Sequence, residues 1–129
     1  MALRTILITV ALTLALSSTS AAKPIARFNF TPLQPRVGTL VRFNGSASVC
    51  DIPPCSYAWR AYQARSDGTF FPRLGINFGF RRIATYTFTQ PGLWLVRLSV
   101  TNSGPGRAGP GSARESSVDK YVTVARALV

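Results

Sequence analysis

From Lys23 onward the chain alternates apolar and polar residues with a period of two, and Gly or Pro interrupts each run. The apolar positions are rich in Val, Phe, Tyr and Trp, which favour pleated backbone. Residues 25–30 read as a first strand, stopped by Pro32 and Pro35. Residues 40–44 read as a second, closed by Gly45, and residues 56–62 as a third. Residues 83–88 follow and stop at Pro91-Gly92. Residues 93–101 form the longest run and residues 118–124 the last. The stretch 64–82, with Asp67-Gly68, Gly75 and Gly79, has room for one short edge strand. Residues 103–116 are rich in Gly, Pro and Ser and predict a mobile loop that carries Arg107 and Arg114. No helical period occurs in this part of the chain. Short strands separated by turns predict an antiparallel sandwich or barrel.

The alternation also assigns faces, because successive side chains on a strand point to opposite sides. Phe43, Tyr57, Trp59, Tyr86 and Trp94 share a side with the aliphatic residues and are the expected core. The other side carries Arg60 and Tyr62 on the third strand, then Leu95, Arg97 and Ser99 on the long one. On the last strand it carries Tyr121 and Thr123. Lys120 falls on the side of Val118 and Val122, which predicts a bulge or a later start for that strand.

Residues 1–22 have a different composition. Arg4 precedes an apolar run from Ile6 to Leu16, and Ser20-Ala21-Ala22 are small residues. That is the layout of a secretory signal peptide, removed before Lys23. The run is short of the roughly 20 residues that span a bilayer, which disfavours an uncleaved anchor. The mature domain is expected to cover residues 23–129, enough for one domain with its own core. With no second apolar run, stable membrane insertion after cleavage is not expected.

Charge narrows the partners. The chain has 15 Lys and Arg against 4 Asp and Glu and no His, a formal net charge of +11. All four carboxylates lie in the mature part, so it keeps a charge near +10 once Arg4 is removed. A GC-rich gene would produce the same Arg bias. An extracellular cation of this strength meets acidic polysaccharides, anionic membrane surfaces or acidic proteins. Nucleic acid suits the charge but not the compartment.

Cys50 and Cys55 bracket Asp51-Ile52-Pro53-Pro54. In an oxidising compartment a disulfide is the expected state, ahead of free thiols. A metal site is short of ligands, since two sulfurs without His supply half a zinc shell. No cofactor is expected. Catalysis finds no support: Asp51, Asp67, Glu115 and Asp119 show no evident acid/base pairing, and a Ser nucleophile has no His. Asn29-Phe30-Thr31 and Asn44-Gly45-Ser46 are sequons, so Asn29 and Asn44 are glycosylation candidates in a eukaryotic secretory pathway, Asn44 the more accessible.

A series of short signatures resembles the PKD (polycystic kidney disease) repeat family. Val41-Arg42-Phe43-Asn44-Gly45-Ser46-Ala47-Ser48 is similar to its second strand and turn, and Tyr57-Ala58-Trp59 to its Tyr-x-Trp. Tyr86-Thr87-Phe88-Thr89-Gln90-Pro91-Gly92 followed by Trp94, Val96, Leu98 and Val100 is similar to its turn into a long strand, and Val122 and Val124 to its closing strand. One departure stands out. The family usually follows its Trp with an acidic, Gly-rich turn; here Arg60-Ala61-Tyr62 follows Trp59, and only a displaced Asp67-Gly68 remains. A calcium or turn-stabilising role for such acidic residues is not expected to carry over. The resemblance implies an all-β, immunoglobulin-like antiparallel β-sandwich of about seven strands. It also implies an extracellular, non-catalytic spacer, adhesion or accessory module.

In that topology the third, long and last strands are neighbours, so Arg60, Tyr62, Leu95, Arg97 and Tyr121 are expected on one exposed face. Flat rings and guanidinium groups there can stack on sugars and pair with carboxylate or sulfate. A solvated face with Arg lying over apolar neighbours is the plainer alternative. The segment 65–82 concentrates Phe70, Phe71, Arg73, Phe78, Phe80, Arg81 and Arg82, more aromatic surface than a loop needs. Phe70, Phe71, Phe78, Arg81 and Arg82 are therefore also binding candidates. The expected function is a secreted binding or adhesion module for an acidic glycan, matrix or cell-wall surface. A structural or protein-interaction subunit is the alternative, ahead of a cationic defence protein acting on anionic membranes.

Overall fold

Alternation along the strands becomes burial in the computed structural model, which describes residues 23–71 and 75–128. The expected signal segment 1–22 and the candidate-rich segment's Arg73 lie outside the described residues. Among the described residues seven strands form: β1 (Asn29–Thr31), β2 (Leu40–Asn44), β3 (Ser56–Gln63), β4 (Ile76–Gly79), β5 (Ile83–Thr87), β6 (Gly92–Thr101) and β7 (Glu115–Val124). They make two antiparallel sheets, ordered β1-β2-β5 and β4-β3-β6-β7. The fold is a β-sandwich, as the sequence implied. Every second residue of β6, from Trp94 to Val100, is buried, and β2 buries Val41 and Phe43 while exposing Leu40 and Arg42.

Trp59 sits at the centre, with no exposed surface. Its ring centroid lies 5.1 Å from that of Phe28, 5.8 Å from Phe43 and 6.1 Å from Phe78. Edge-on and tilted contacts of this kind add to the burial of each ring. The indole N–H would be an orphan in such a core, and it donates to the Arg81 carbonyl at 2.7 Å. Phe88 and Trp94 continue the aromatic layer at 5.1 Å, and the Trp94 N–H donates to the Gln90 carbonyl. Gly45 brings backbone close to this core: a Cβ there would lie 3.0 Å from the Arg82 carbonyl oxygen and 3.2 Å from the Trp59 ring.

Three expectations change. The first strand is shorter than residues 25–30, because only Asn29–Thr31 pairs with β2, while Ile25 makes a separate bridge to Val49. The chain then leaves that sheet: Pro35 to Val37 runs parallel to the end of β7, with the Val37 N–H on the Ala125 carbonyl and the Ala125 N–H on the Pro35 carbonyl, both at 2.9 Å. Second, β7 starts earlier, not later, and its register against β6 is continuous from Glu115 to Val124. No bulge absorbs Lys120. It faces inward at the sandwich rim, its ammonium 5.3 Å from the Phe28 ring centroid, a position an edge strand tolerates and that hinders pairing with another chain.

Third, the Gly/Pro loop after β6 is tied down. Asn102, 2 % exposed, accepts from the Gly104 N–H through its side chain and donates its own N–H to the Arg114 carbonyl. Arg114 is not free: Nε and Nη2 both donate to the Asn102 carbonyl, at 3.1 and 2.7 Å, and Nη1 donates to the Gly106 carbonyl. The Ser103 N–H donates to the Ile52 carbonyl at 3.0 Å and its hydroxyl to the Pro54 carbonyl, which fastens this loop to the ring closed by the Cys50–Cys55 disulfide.

Candidate ligand-binding face

The outer face of the four-stranded sheet is set by register. Arg60 pairs across β3 and β6 with Arg97, and Arg97 pairs across β6 and β7 with Asp119. On the other side of β3, Arg60 lies opposite Asn77 of β4. A single row therefore reads Asn77, Arg60, Arg97, Asp119. The next row toward one end is Tyr62, Leu95, Tyr121, and toward the other Ala58, Ser99, Ser117, followed by Ser56, Thr101, Glu115.

The guanidinium groups of the central row are held differently. Arg97 makes a two-pronged pair with Asp119, Nε to Oδ1 at 2.7 Å and Nη2 to Oδ2 at 2.9 Å. It also lies 5.7 Å from the Tyr62 ring centroid. The Asp119 hydrogen bond holds the Arg97 pKa above its ordinary value. Arg60 has a neutral partner, its Nε donating to Asn77 Oδ1 at 2.8 Å. Among the described residues the Arg97–Asp119 pair is the one salt bridge, so Arg60 keeps an uncompensated charge on an exposed site.

Two hollows flank this row. One, about 310 Å³, is lined by Arg60, Tyr62, Phe70, Leu95 and Arg97. Its wall is Phe70, carried over the sheet by a tight hairpin in which Ala64 bridges to Phe70. Phe70 stacks on Tyr121 with centroids 5.8 Å apart and 29° between the planes. The other hollow, about 300 Å³, is lined by Ala58, Ser99, Thr101, Ser117, Glu115 and Pro110, with both Arg side chains at its end. The Ser99 and Ser117 hydroxyls bond each other there at 2.8 Å.

The structure thus brings Arg60, Tyr62, Leu95, Arg97 and Tyr121 onto one face, with Phe70 added. Their exposure differs from expectation at Tyr62, which is 5 % exposed because the 64–71 hairpin and Gly75 cover it, whereas Tyr121 is 65 % exposed. The remaining candidates are elsewhere. Phe71 packs under the Arg65 guanidinium, 4.3 Å from its ring centroid. Phe78 is partly buried against the core, 5.2 Å from Phe43 and 5.0 Å from Tyr86 by ring centroids, and it also lines a hollow at the rim with Phe80 and Arg81, away from this face. Arg81 and Arg82 are exposed at the β4–β5 turn beside Phe80, with Arg82 5.9 Å from the Tyr57 ring centroid. Asn29 is exposed on β1, while Asn44 is half-buried and its Oδ1 accepts from the Ser46 N–H, the reverse of the expected order of accessibility.

Asp119, Asn77 and Glu115 were not among the sequence candidates. The parity of Tyr121 and Thr123 extends to Asp119, and the unexpected position of Lys120 hid it. Asn77 lies on a four-residue strand inside a Gly-rich stretch, and Glu115 starts β7 ahead of any apolar pattern. Among the described residues no three of Cys, Asp and Glu gather as metal ligands.

Of the comparisons with known proteins, the one with solved structures bears on architecture. No protein family and no curated protein matches the sequence. A solved structure presented as the structural basis for the promiscuous specificity of carbohydrate-binding modules from the beta-sandwich superfamily is similar, with a TM-score of 0.56 and 24 % sequence identity. The match covers 84 % of this chain and 36 % of that one, so this chain spans about a third of its neighbour. At that identity the likeness speaks for the β-sandwich fold alone.

Proposed function

We propose that this chain is a secreted, non-catalytic binding module of PKD-like type. Its outer face on the sheet β4-β3-β6-β7 takes an acidic glycan of a matrix or cell-wall surface. The observation that carries this reading is the Asn77-Arg60-Arg97-Asp119 row, set between a ring-lined hollow and a hydroxyl-lined one. Rings offer flat apolar area for a sugar face, hydroxyls exchange hydrogen bonds with sugar hydroxyls, and Arg60 pairs with a carboxylate or sulfate. The carbohydrate-binding description of the structural neighbour supports the class of ligand. The disulfide, together with the signal-like segment 1–22, supports an extracellular setting.

Binding to an immobilised acidic polysaccharide tests the site. Arg60→Ala is expected to weaken affinity by about tenfold or more, the loss of one charge-assisted hydrogen bond of roughly 1.5–3 kcal/mol. Arg42→Ala, on the opposite sheet, removes the same charge and should cost far less. Equal losses would mean diffuse electrostatics and no site. No binding to any glycan would favour a protein-interaction role. Intact-mass measurement of the secreted protein should place its first residue within two of Lys23.

A further inference from the structure

The candidate face is less cationic than the chain as a whole. The protein has 15 Lys and Arg but only 4 Asp and Glu, and two of those four carboxylates, Glu115 and Asp119, stand on this face. They match its two guanidinium groups, so the formal charge of the face cancels while the whole chain stands at +11. Half of the cancellation is local. Asp119 occupies both prongs of Arg97, which leaves Arg60 as the group able to take a ligand anion. Glu115 closes the far end of the hydroxyl-lined hollow with negative charge. Four residues of strand separate its row from that of Arg60, about 13 Å at the rise of an extended chain.

We propose that the face selects a sparsely charged glycan, one in which a sugar bearing a single carboxylate or sulfate adjoins uncharged sugars, and rejects a densely sulfated one. This rests on the glycan-binding reading above and names its ligand class. The single anion sits at Arg60. The neighbouring uncharged rings lie against the Phe70–Tyr121 ledge on one side and over the Ser99, Thr101 and Ser117 hydroxyls on the other. A second anion on the ledge side finds Arg97 already paired with Asp119, and one on the hydroxyl side meets Glu115, where like charges repel. Dense polyanions still bind the protein, but through its Arg-rich remainder, without preference for this face and with strong dependence on salt.

The test uses the oxidised mature protein and three probes: hyaluronan, which alternates one uronic acid with one uncharged sugar; the same polymer with its carboxyls reduced; and heparin. For hyaluronan, Arg60→Ala should weaken binding about tenfold, and the carboxyl-reduced polymer should bind the parent as weakly. For heparin, Arg60→Ala and Arg42→Ala should cost the same small factor. Asp119→Asn, which releases Arg97, and Glu115→Gln, which removes a like charge, should each improve heparin relative to hyaluronan by about two- to fivefold, the size of one exposed charge contact. The two variants are independent, so poor folding of one, seen in its melting temperature, leaves the other decisive. Heparin binding that depends on Arg60 more than hyaluronan binding does, or an unchanged heparin-to-hyaluronan ratio in the folded variants, would overturn the selectivity while leaving a glycan site on this face. Absence of any Arg60-dependent binding to all three probes would overturn the glycan-binding reading itself.

Discussion

Trp59 shows how one residue couples core and surface. Its ring fills the centre of the sandwich and its N–H anchors the Arg81 carbonyl at the β4–β5 turn. Trp59→Ala should therefore destabilise the domain by roughly 3–5 kcal/mol, as large-to-small changes at fully packed sites do. Trp59→Phe keeps much of the packing but strands the Arg81 carbonyl, at a cost of about 1–3 kcal/mol. Denaturant titration separates the two, and a Trp59→Ala variant melting within a few degrees of the parent would contradict the packing. A second residue responds to pH. The Asp67 carboxylate accepts from the Thr69 hydroxyl at 2.7 Å and from its N–H at 2.9 Å, and these bonds hold its pKa below the ordinary 3.8. The unfolded chain binds the proton more readily, so the contribution of Asp67 is present at neutral pH and is lost as pH falls through the depressed folded value. The Asp67 carboxyl followed by NMR should titrate below 3.8, with Thr69 amide exchange accelerating over the same range. A midpoint at or above 3.8 would show that the turn does not hold the carboxylate.

Strands β4 and β5 meet at the rim although they belong to different sheets, and Gly79 permits it. A Cβ at Gly79 would stand 2.6 Å from the Ala84 Cβ. Gly79→Ala should therefore cost about 1–3 kcal/mol by overpacking, and Ala84→Gly in the same chain should recover part of that cost. Additive losses in the four-member thermal cycle would mean that the two positions do not touch. This pair also marks where the sequence stops being legible. Residues 40–44 could be bounded by alternation and Gly45 alone, and the core rings followed from parity, because one buried face imposes a period of two. Phe78 and Tyr62 did not follow. Phe78 lies in a Gly-rich stretch whose pairing depends on β3, and Tyr62 has the parity of an exposed residue but is roofed by a hairpin from outside its strand. The start of β7 was hidden because Glu115, Ser116 and Ser117 have no apolar signal and pair only because β6 runs alongside. The candidate face was legible as far as parity reached, at Arg60, Leu95, Arg97 and Tyr121. The Asp119 partner that neutralises Arg97 depended on the register.

At the scale of the whole molecule, two loops far apart in sequence behave as one unit. The ring closed by Cys50 and Cys55 carries the Ile52 and Pro54 carbonyls, and Ser103 bonds to both. A Cβ at Gly104 would lie 3.2 Å from the Ile52 side chain, so the two loops are in contact there. From Ser103 the chain continues through the Asn102–Arg114 clasp, and Pro110 within that loop forms part of the hydroxyl-lined hollow. Reduction of the disulfide should therefore do two things. It should lower stability by about 2 kcal/mol on the chain-entropy account, a small gain because the ring is short. It should also loosen residues 103–114 and the hydroxyl end of the face, while the Phe70–Tyr121 end, which rests on β7 and the 64–70 hairpin, keeps its protection. Amide hydrogen exchange on the oxidised and reduced protein reads both effects. Faster exchange at Ser103 and Gly104, with Tyr121 and Phe71 unchanged, is the expected pattern. Changes confined to residues 50–55 would show that the Ser103 bonds do not transmit the constraint, and uniform change across both ends of the face would show that the disulfide acts on global stability alone.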